Sequence, residues 1–250
     1  MRTDTFERLQ TIQREKGAGF VLLLDPDKLA LEQVEEAVSE MKAQGVDVLF
    51  IGGSLMLQEN FDEFVARVKQ ASDGMPVVIF PGSLRQISAH ADAILYLSLI
   101  SGRNPTHLID TQVQAAPIIW RLGIEPISCA YMLIESGGIT SAEFMSNTKP
   151  IPRDKPDLAL AHALAAEFLG FKMIYLEAGS GARLTVPEEM IQAVSQVVSI
   201  PVIVGGGIRT PEEAARKVDA GARFVVVGNF FETQGNLNYL QEFARAIHQM

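Results

Sequence analysis

Eight times along its 250 residues, this chain runs through a predominantly apolar stretch and then breaks into glycine, serine, proline or an acidic residue. The stretches are Phe20 to Leu24, Val46 to Ile51, Pro76 to Phe80, Ala93 to Leu99, Glu125 to Leu133, Met173 to Leu176, Pro201 to Val204 and Phe224 to Val227. A strand with one wet face alternates apolar and polar residues. A continuous run marks a strand covered on both faces, as in parallel sheets. Helical spacing fills most of the intervals: Val34, Ala37, Val38 and Met41 within 29–44, and Phe61, Phe64, Val65 and Val68 in the next interval. Further helices are expected over 4–16, 106–122 (bent or ended near Pro117), 158–169, 187–198, 211–220 and 236–248. Eight such units in this length fit an α/β fold, a (β/α)8 TIM barrel in a single domain over 1–250, with an open doubly wound sheet as the alternative.

Two intervals depart from the pattern. Only Leu84 to Ala91 is available before the fourth strand, too little for a full helix. The segment 135–156 is the longest irregular one, rich in Gly, Ser, Thr and Pro, and long loops in compact domains are functional or mobile.

Charge and cysteine content narrow the function classes. The net charge of -9 and a pI near 5.0 argue against a nucleic-acid-binding surface. An anionic substrate then needs a local site of backbone dipoles, metal or basic side chains. Cys129 is the single cysteine, so no internal disulfide forms and a reducing compartment fits. The mixed, charged N-terminus is unlike a secretory signal, and no apolar run approaches the roughly 18 residues of a membrane span. A cytoplasmic location without a membrane anchor is expected.

In a barrel, the C-terminal strand ends share one rim. Strand 6 runs into Glu177-Ala178-Gly179-Ser180-Gly181, strand 7 into Gly205-Gly206-Gly207 and strand 8 into Gly228-Asn229. Glycine lets backbone N–H groups approach a ligand, and such loops feeding helices hold phosphate; simple turns are the alternative. Asp25 ends strand 1 and Ser54 follows strand 2, a carboxylate and a hydroxyl that suit Mg²⁺ with part of its water shell. Either residue also serves as a turn or helix cap. Glu177 ends a buried apolar run, where a carboxylate is costly unless paired or used. It reads as a general base for a substrate hydroxyl, or as a salt-bridge partner of Lys172 or Arg209. Tyr175, two residues earlier, shares its face and either orients substrate or packs in the core. Arg103-Asn104 after strand 4 either meets a second anionic group or is loop solvation. The four histidines, His90, His107, His162 and His248, have no metal-ligand spacing.

Together, Leu24-Asp25-Pro26-Asp27, Gly52-Gly53-Ser54, Tyr175 to Gly181, Gly205-Gly206-Gly207-Ile208 and Val227-Gly228-Asn229 resemble the geranylgeranylglyceryl phosphate synthase family, which includes bacterial heptaprenylglyceryl phosphate synthases. The likeness spans the chain in order. It implies a barrel whose third helix is replaced by an irregular segment. It implies prenyl transfer from a polyprenyl diphosphate, geranylgeranyl by preference, to the 3-hydroxyl of sn-glycerol 1-phosphate. By the resemblance, Asp25 and Ser54 bind Mg²⁺ and Glu177 is the base. Tyr131, Tyr175, Leu176, Glu177, Ala178, Gly179, Ser180, Gly181, Gly206, Gly207, Gly228 and Asn229 hold glycerol phosphate. It further implies a homo-oligomer, and a lipid product suggests transient membrane contact. Many members have lysine where this chain has Leu23, which removes one cationic contact. The alternatives are an isomerase or cyclase of a sugar phosphate, and a non-catalytic barrel that binds a phosphorylated metabolite.

Overall fold

The parallel pattern closes on itself. A computed structural model describes residues 4–57, 59–228 and 239–248. Its strands are β1 (Gly19–Leu24), β2 (Val48–Ile51), β3 (Val77–Ile79), β4 (Ala93–Leu99), β5 (Glu125–Leu133), β6 (Met173–Glu177), β7 (Val202–Gly205) and β8 (Phe224–Val227). They pair in chain order, all in parallel, and Gly19↔Phe224 and Phe20↔Val225 join the last strand to the first. The helices are α1 (Thr5–Lys16), α2 (Val34–Ala43), α3 (Phe61–Ala71), α4 (Thr111–Leu122), α5 (Ser141–Ser146), α6 (Pro156–Phe168), α7 (Glu188–Ser195), α8 (Pro211–Asp219) and α9 (Leu240–Ile247).

Strand alternation divides the apolar residues into two cores, which is why the runs are continuous. Val21, Phe50, Leu95, Cys129, Tyr175 and Phe224 fill the barrel interior. Phe20, Leu22, Leu49, Ile174, Leu176 and Val225 face outward and pack with the helices. Leu9 of α1 joins the interior cluster. Buried Asp47 ties this end together: it accepts the Phe20 N–H at 2.7 Å, Lys16 Nζ at 2.5 Å and His248 Nε2 at 2.8 Å.

Of the bend or end expected near Pro117, the end does not occur: α4 continues to Leu122. Pro117 lies on the exposed side, where the carbonyl left without its usual donor meets water. The expected helix over 106–122 instead begins with a π-turn, Thr106–Asp110. The 135–156 segment contains the short helix α5. Of the expected helix 236–248, α9 supplies Leu240–Ile247, and 236–238 lie outside the described residues.

The connection from β3 to β4 contains no helix. A side chain does the fastening instead. Gln86, 1% exposed, accepts the N–H groups of Gly82 (3.0 Å) and Gly53 (3.3 Å) through Oε1 and donates from Nε2 to the Gly53 carbonyl (2.8 Å). Only glycines allow the approach. A Cβ on Gly52 would lie 1.9 Å from the Phe80 carbonyl oxygen, and one on Gly82 2.2 Å from that of Gly53. Buried Asp92 then closes the segment by accepting the Val77 N–H (2.9 Å) and Lys69 Nζ (2.7 Å). Among the described residues, no helix is long and apolar enough to cross a membrane.

Gln86→Leu keeps the volume and removes the partner of three part-buried backbone groups. We expect it to lower unfolding free energy in urea by about 2–4 kcal/mol, whereas Arg85→Leu on the exposed side of the same segment should change it by under about 0.5 kcal/mol.

Candidate active site

The C-terminal strand ends surround a cavity of about 450 Å³. Register explains its floor. Tyr131 on β5 and Tyr175 on β6 are direct partners, so both rings point into the barrel side by side. Their rings meet edge to face, with centroids 5.5 Å apart. Phe80, just past β3, stacks on Tyr175 at 5.2 Å and leans on Tyr131 at 5.9 Å. The three rings cap the interior core and leave both hydroxyls near the top of the barrel.

Glu177, 5% exposed, stands above them. It accepts the Gly179 N–H at 2.6 Å and the Tyr175 hydroxyl. No salt bridge to Lys172 or Arg209 forms: Lys172 lies over the Phe6 ring, and Arg209 donates to the carbonyls of Ala182 (2.7 Å) and Gly207 (3.2 Å). Burial pushes the Glu177 carboxyl up to about 7, against the lowering pull of the Gly179 and Tyr175 hydrogen bonds. The result is a carboxylate able to take a proton near neutral pH. Burial, then the Glu177 charge, raises the Tyr175 and Tyr131 hydroxyls well above the usual tyrosine range, so both stay protonated donors.

Glycines make room for this carboxylate. A Cβ on Gly206 would lie 2.4 Å from Glu177 Oε1, and one on Gly205 2.4 Å from the Tyr175 hydroxyl. Gly206 and Gly207 both have positive φ, at 89° and 74°, a backbone form side chains disfavour. Successive residues of this kind form concave loops that suit anions.

Of the residues expected at the site, Asp25, Ser54, Tyr131, Tyr175, Glu177, Ser180, Gly181, Gly206, Gly207 and Gly228 line the cavity. Leu176, Ala178 and Gly179 do not. Leu176 and Ala178 are turned into the outer core, and Gly179 packs under Thr140, 2.4 Å from where its Cβ would be, with its N–H committed to Glu177. Asn229 lies outside the described residues. Arg103 is spent on the Gly102 carbonyl (2.7 Å), and Asn104 donates to the Ser146 carbonyl (2.7 Å), tying the loop after β4 to α5. Leu23 lines the wall beside Gly228.

Asp25 and Ser54 suit a hard cation by their donor chemistry. Gly53 presses so close that a Cβ there would stand 3.3 Å from Asp25 Oδ1, leaving a glycine-walled recess beside the carboxylate. Lys28 Nζ, 3.5 Å from Asp25 Oδ2, shares this carboxylate and would have to give way to a cation bound there. Among the described residues no cluster of three acidic, histidine or cysteine ligands exists, so a cation here would need water or substrate oxygens to complete its shell.

The cavity extends well beyond the rim. It passes Phe80, Leu84 and Ile87 of the helix-free connection and runs along the outer face of β4 at Ile94 and Tyr96, with Ala115 and Ile119 of α4 opposite. Nothing in the sequence marks Phe80, Gln112 or Met145 as lining residues, because each reads as ordinary core or loop. Gln112, 9% exposed, donates to the carbonyls of Leu97 and His107, and its Oε1 has no partner. It fastens the π-turn to β4 and so sets the width of this channel.

The match to known proteins is close. The PcrB family model covers residues 10–247. The geranylgeranylglyceryl phosphate synthase of Chitinophaga pinensis is 46% identical over 237 residues, 94% of this chain and 93% of that one. That of Thermococcus kodakarensis is 43% identical, covering 93% and 91%. The crystal structure of (S)-3-O-geranylgeranylglyceryl phosphate synthase from Thermoplasma acidophilum, in complex with sn-glycerol-1-phosphate, superposes with a TM-score of 0.91 at 35% identity over 98% of both chains. This chain belongs to the PcrB family.

Proposed function

We propose that this protein is a prenyltransferase that joins the 3-hydroxyl of sn-glycerol 1-phosphate to a polyprenyl diphosphate, geranylgeranyl diphosphate by preference, and releases diphosphate. The observation that carries the reading is the junction of two unlike spaces at one carboxylate. A glycine-walled polar recess and an apolar channel meet at Glu177. An isomerase or a phosphometabolite-binding barrel needs the first space and has no use for the second. Named relatives and the glycerol phosphate held by the Thermoplasma protein support the same assignment.

The chemistry follows from the placement. The glycerol 3-hydroxyl is a weak nucleophile until its proton leaves. Glu177 accepts that proton as the oxygen attacks C1 of the prenyl chain; the bond from C1 to the diphosphate oxygen breaks, and diphosphate departs with the bonding pair. Tyr175 holds the Glu177 carboxylate by donating to it, and Tyr131 offers a second neutral hydroxyl on the same floor. Asp25 and Ser54 would hold Mg²⁺, which when bound offsets charge on the departing diphosphate. The channel walls take the isoprenoid and exclude water from C1.

A radiolabel assay tests the reading: purified protein, Mg²⁺, labelled sn-glycerol 1-phosphate, and farnesyl, geranylgeranyl or heptaprenyl diphosphate in turn. Label should enter the organic phase fastest with geranylgeranyl diphosphate. No transfer from any donor, with glycerol phosphate still bound, would return the protein to the isomerase or binding readings. Ala115→Phe narrows the channel and should shift preference toward farnesyl diphosphate, read as the ratio of kcat/KM for the two donors.

Glu177→Gln should lower kcat by about a hundredfold or more while sn-glycerol 1-phosphate still binds, and the wild-type rate should rise with pH through about 7. The same substitution has an opposite effect on stability. The folded carboxyl keeps its proton more tightly than the unfolded chain does, so this group's contribution to wild-type stability is fully present below about pH 4.5, is lost as pH rises to about 7 and is level above that. Glu177→Gln escapes that loss, and its melting temperature should exceed the wild type's at pH 8 by the equivalent of about 3 kcal/mol, with the advantage gone near pH 5.

A further inference from the structure

The catalytic rim carries large exposed apolar side chains, most of them outside the cavity lining. Leu55 is 58% exposed and Leu57 78% exposed on the loop after β2. Ile139 at 78%, Phe144 at 76% and Met145 at 50% stand on the loop after β5, and Leu184 at 44% on the loop after β6. Other exposed apolar side chains lie on α4 and α6, among them Val113, Trp120 and Phe168; these six stand on loops at the C-terminal ends of strands, on one face.

Two placements decide what fits there. In a closed ring of eight strands, β2 and β6 lie opposite one another, so the apolar side chains stand on both sides of the cavity mouth. The loops after β5 and β6 are joined: the Leu184 N–H donates to the Ser136 carbonyl at 3.2 Å, a Cβ on Gly137 would lie 3.2 Å from Leu184 Cδ1, and Gly179 packs under Thr140. The joined loops carry Ile139, Phe144 and Leu184, all exposed. Met145 belongs both to this set and to the cavity wall, so the apolar rim is continuous with the channel. A second protein seated across such a rim would close the mouth. A lipid surface seated there would open the channel onto the phase in which a long isoprenoid dissolves.

We propose that the catalytic face docks on a lipid bilayer, with Ile139 and Phe144 of the 135–156 segment as its main inserting side chains. The inference rests on the prenyl-transfer reading above and gives that segment its role. Short apolar side chains on a rim enter the boundary between headgroups and acyl chains without spanning the membrane. Arg85, Arg103 and Arg183 are exposed on loops of the same face. Because the whole chain carries -9, apolar insertion and not general attraction to anionic lipid drives the contact.

The test compares the wild-type protein with Ile139→Ser/Phe144→Ser, two exposed positions outside the cavity lining. Wild-type protein should co-sediment with phosphatidylcholine vesicles and remain bound at high salt, and the double variant should bind about tenfold or more weakly. With geranylgeranyl diphosphate embedded in those vesicles, transfer by the variant should fall in step with binding, while transfer from water-soluble geranyl diphosphate stays at the wild-type rate. Wild-type protein that stays in the supernatant overturns the proposal, as does a variant that binds vesicles equally well. A variant that changes the mass of the assembly by light scattering and leaves vesicle binding intact assigns the rim to contacts between copies, and also overturns it. Vesicle binding is read without turnover, so failure of docking and failure of the prenyl-transfer assignment give different results.

Discussion

A single amide side chain does the work of a missing helix. In a (β/α)8 barrel each helix covers the outer face of its strands and returns the chain to the next one. Between β3 and β4 that cover is absent, and Gln86 instead clasps the backbone of Gly53 and Gly82. The clasp needs glycines, since side chains at Gly52 or Gly82 would collide with backbone oxygens. Its reward is space. Without a helix, the outer faces of Ile94 and Tyr96 border a channel that α4 alone closes from the other side. The same clasp holds the chain where Phe80 leaves β3 and stacks on Tyr175, so the apolar channel and the floor of the polar recess depend on one fastening.

At the junction of those spaces, the barrel keeps a carboxylate in surroundings hostile to its charge. Glu177 receives two hydrogen bonds and no cation among the described residues. Full pairing would have left it a weak base; no pairing would have kept it protonated. The Gly179 N–H and Tyr175 hydroxyl hold the balance between these limits. This is also why the loops around it are glycines. A methyl group at position 205 or 206 would push Tyr175 or Glu177 out of place.

The fold was largely legible because the outer and inner cores each take alternate residues of the same strands, leaving predominantly apolar runs as the trace. The two irregular intervals also stood out, 84–91 by its shortness and 135–156 by its composition. Residues at the strand ends could be read because the barrel gathers them without further information, and ten of the expected site residues do line one cavity. What escaped notice depends on three-dimensional detail. Phe80 looks like the last residue of a core strand, and only the β5–β6 register shows that it has two tyrosines to cover. Leu176 and Ala178 sit inside a motif that reads as continuous, yet alternation turns them away from the cavity. Pro117 reads as a helix stop because the sequence does not say which side of the helix it faces.

Cys129 sits in the barrel interior, fully covered, and burial pushes its thiol far above the range in which thiolate forms. Being the only cysteine, it makes the protein a silent background for thiol chemistry. A cysteine placed anywhere on the outside is then the sole reactive one, and a fluorophore or spin label attached to it reports from one known position. The barrel's own core packing has prepared the molecule for single-site spectroscopy.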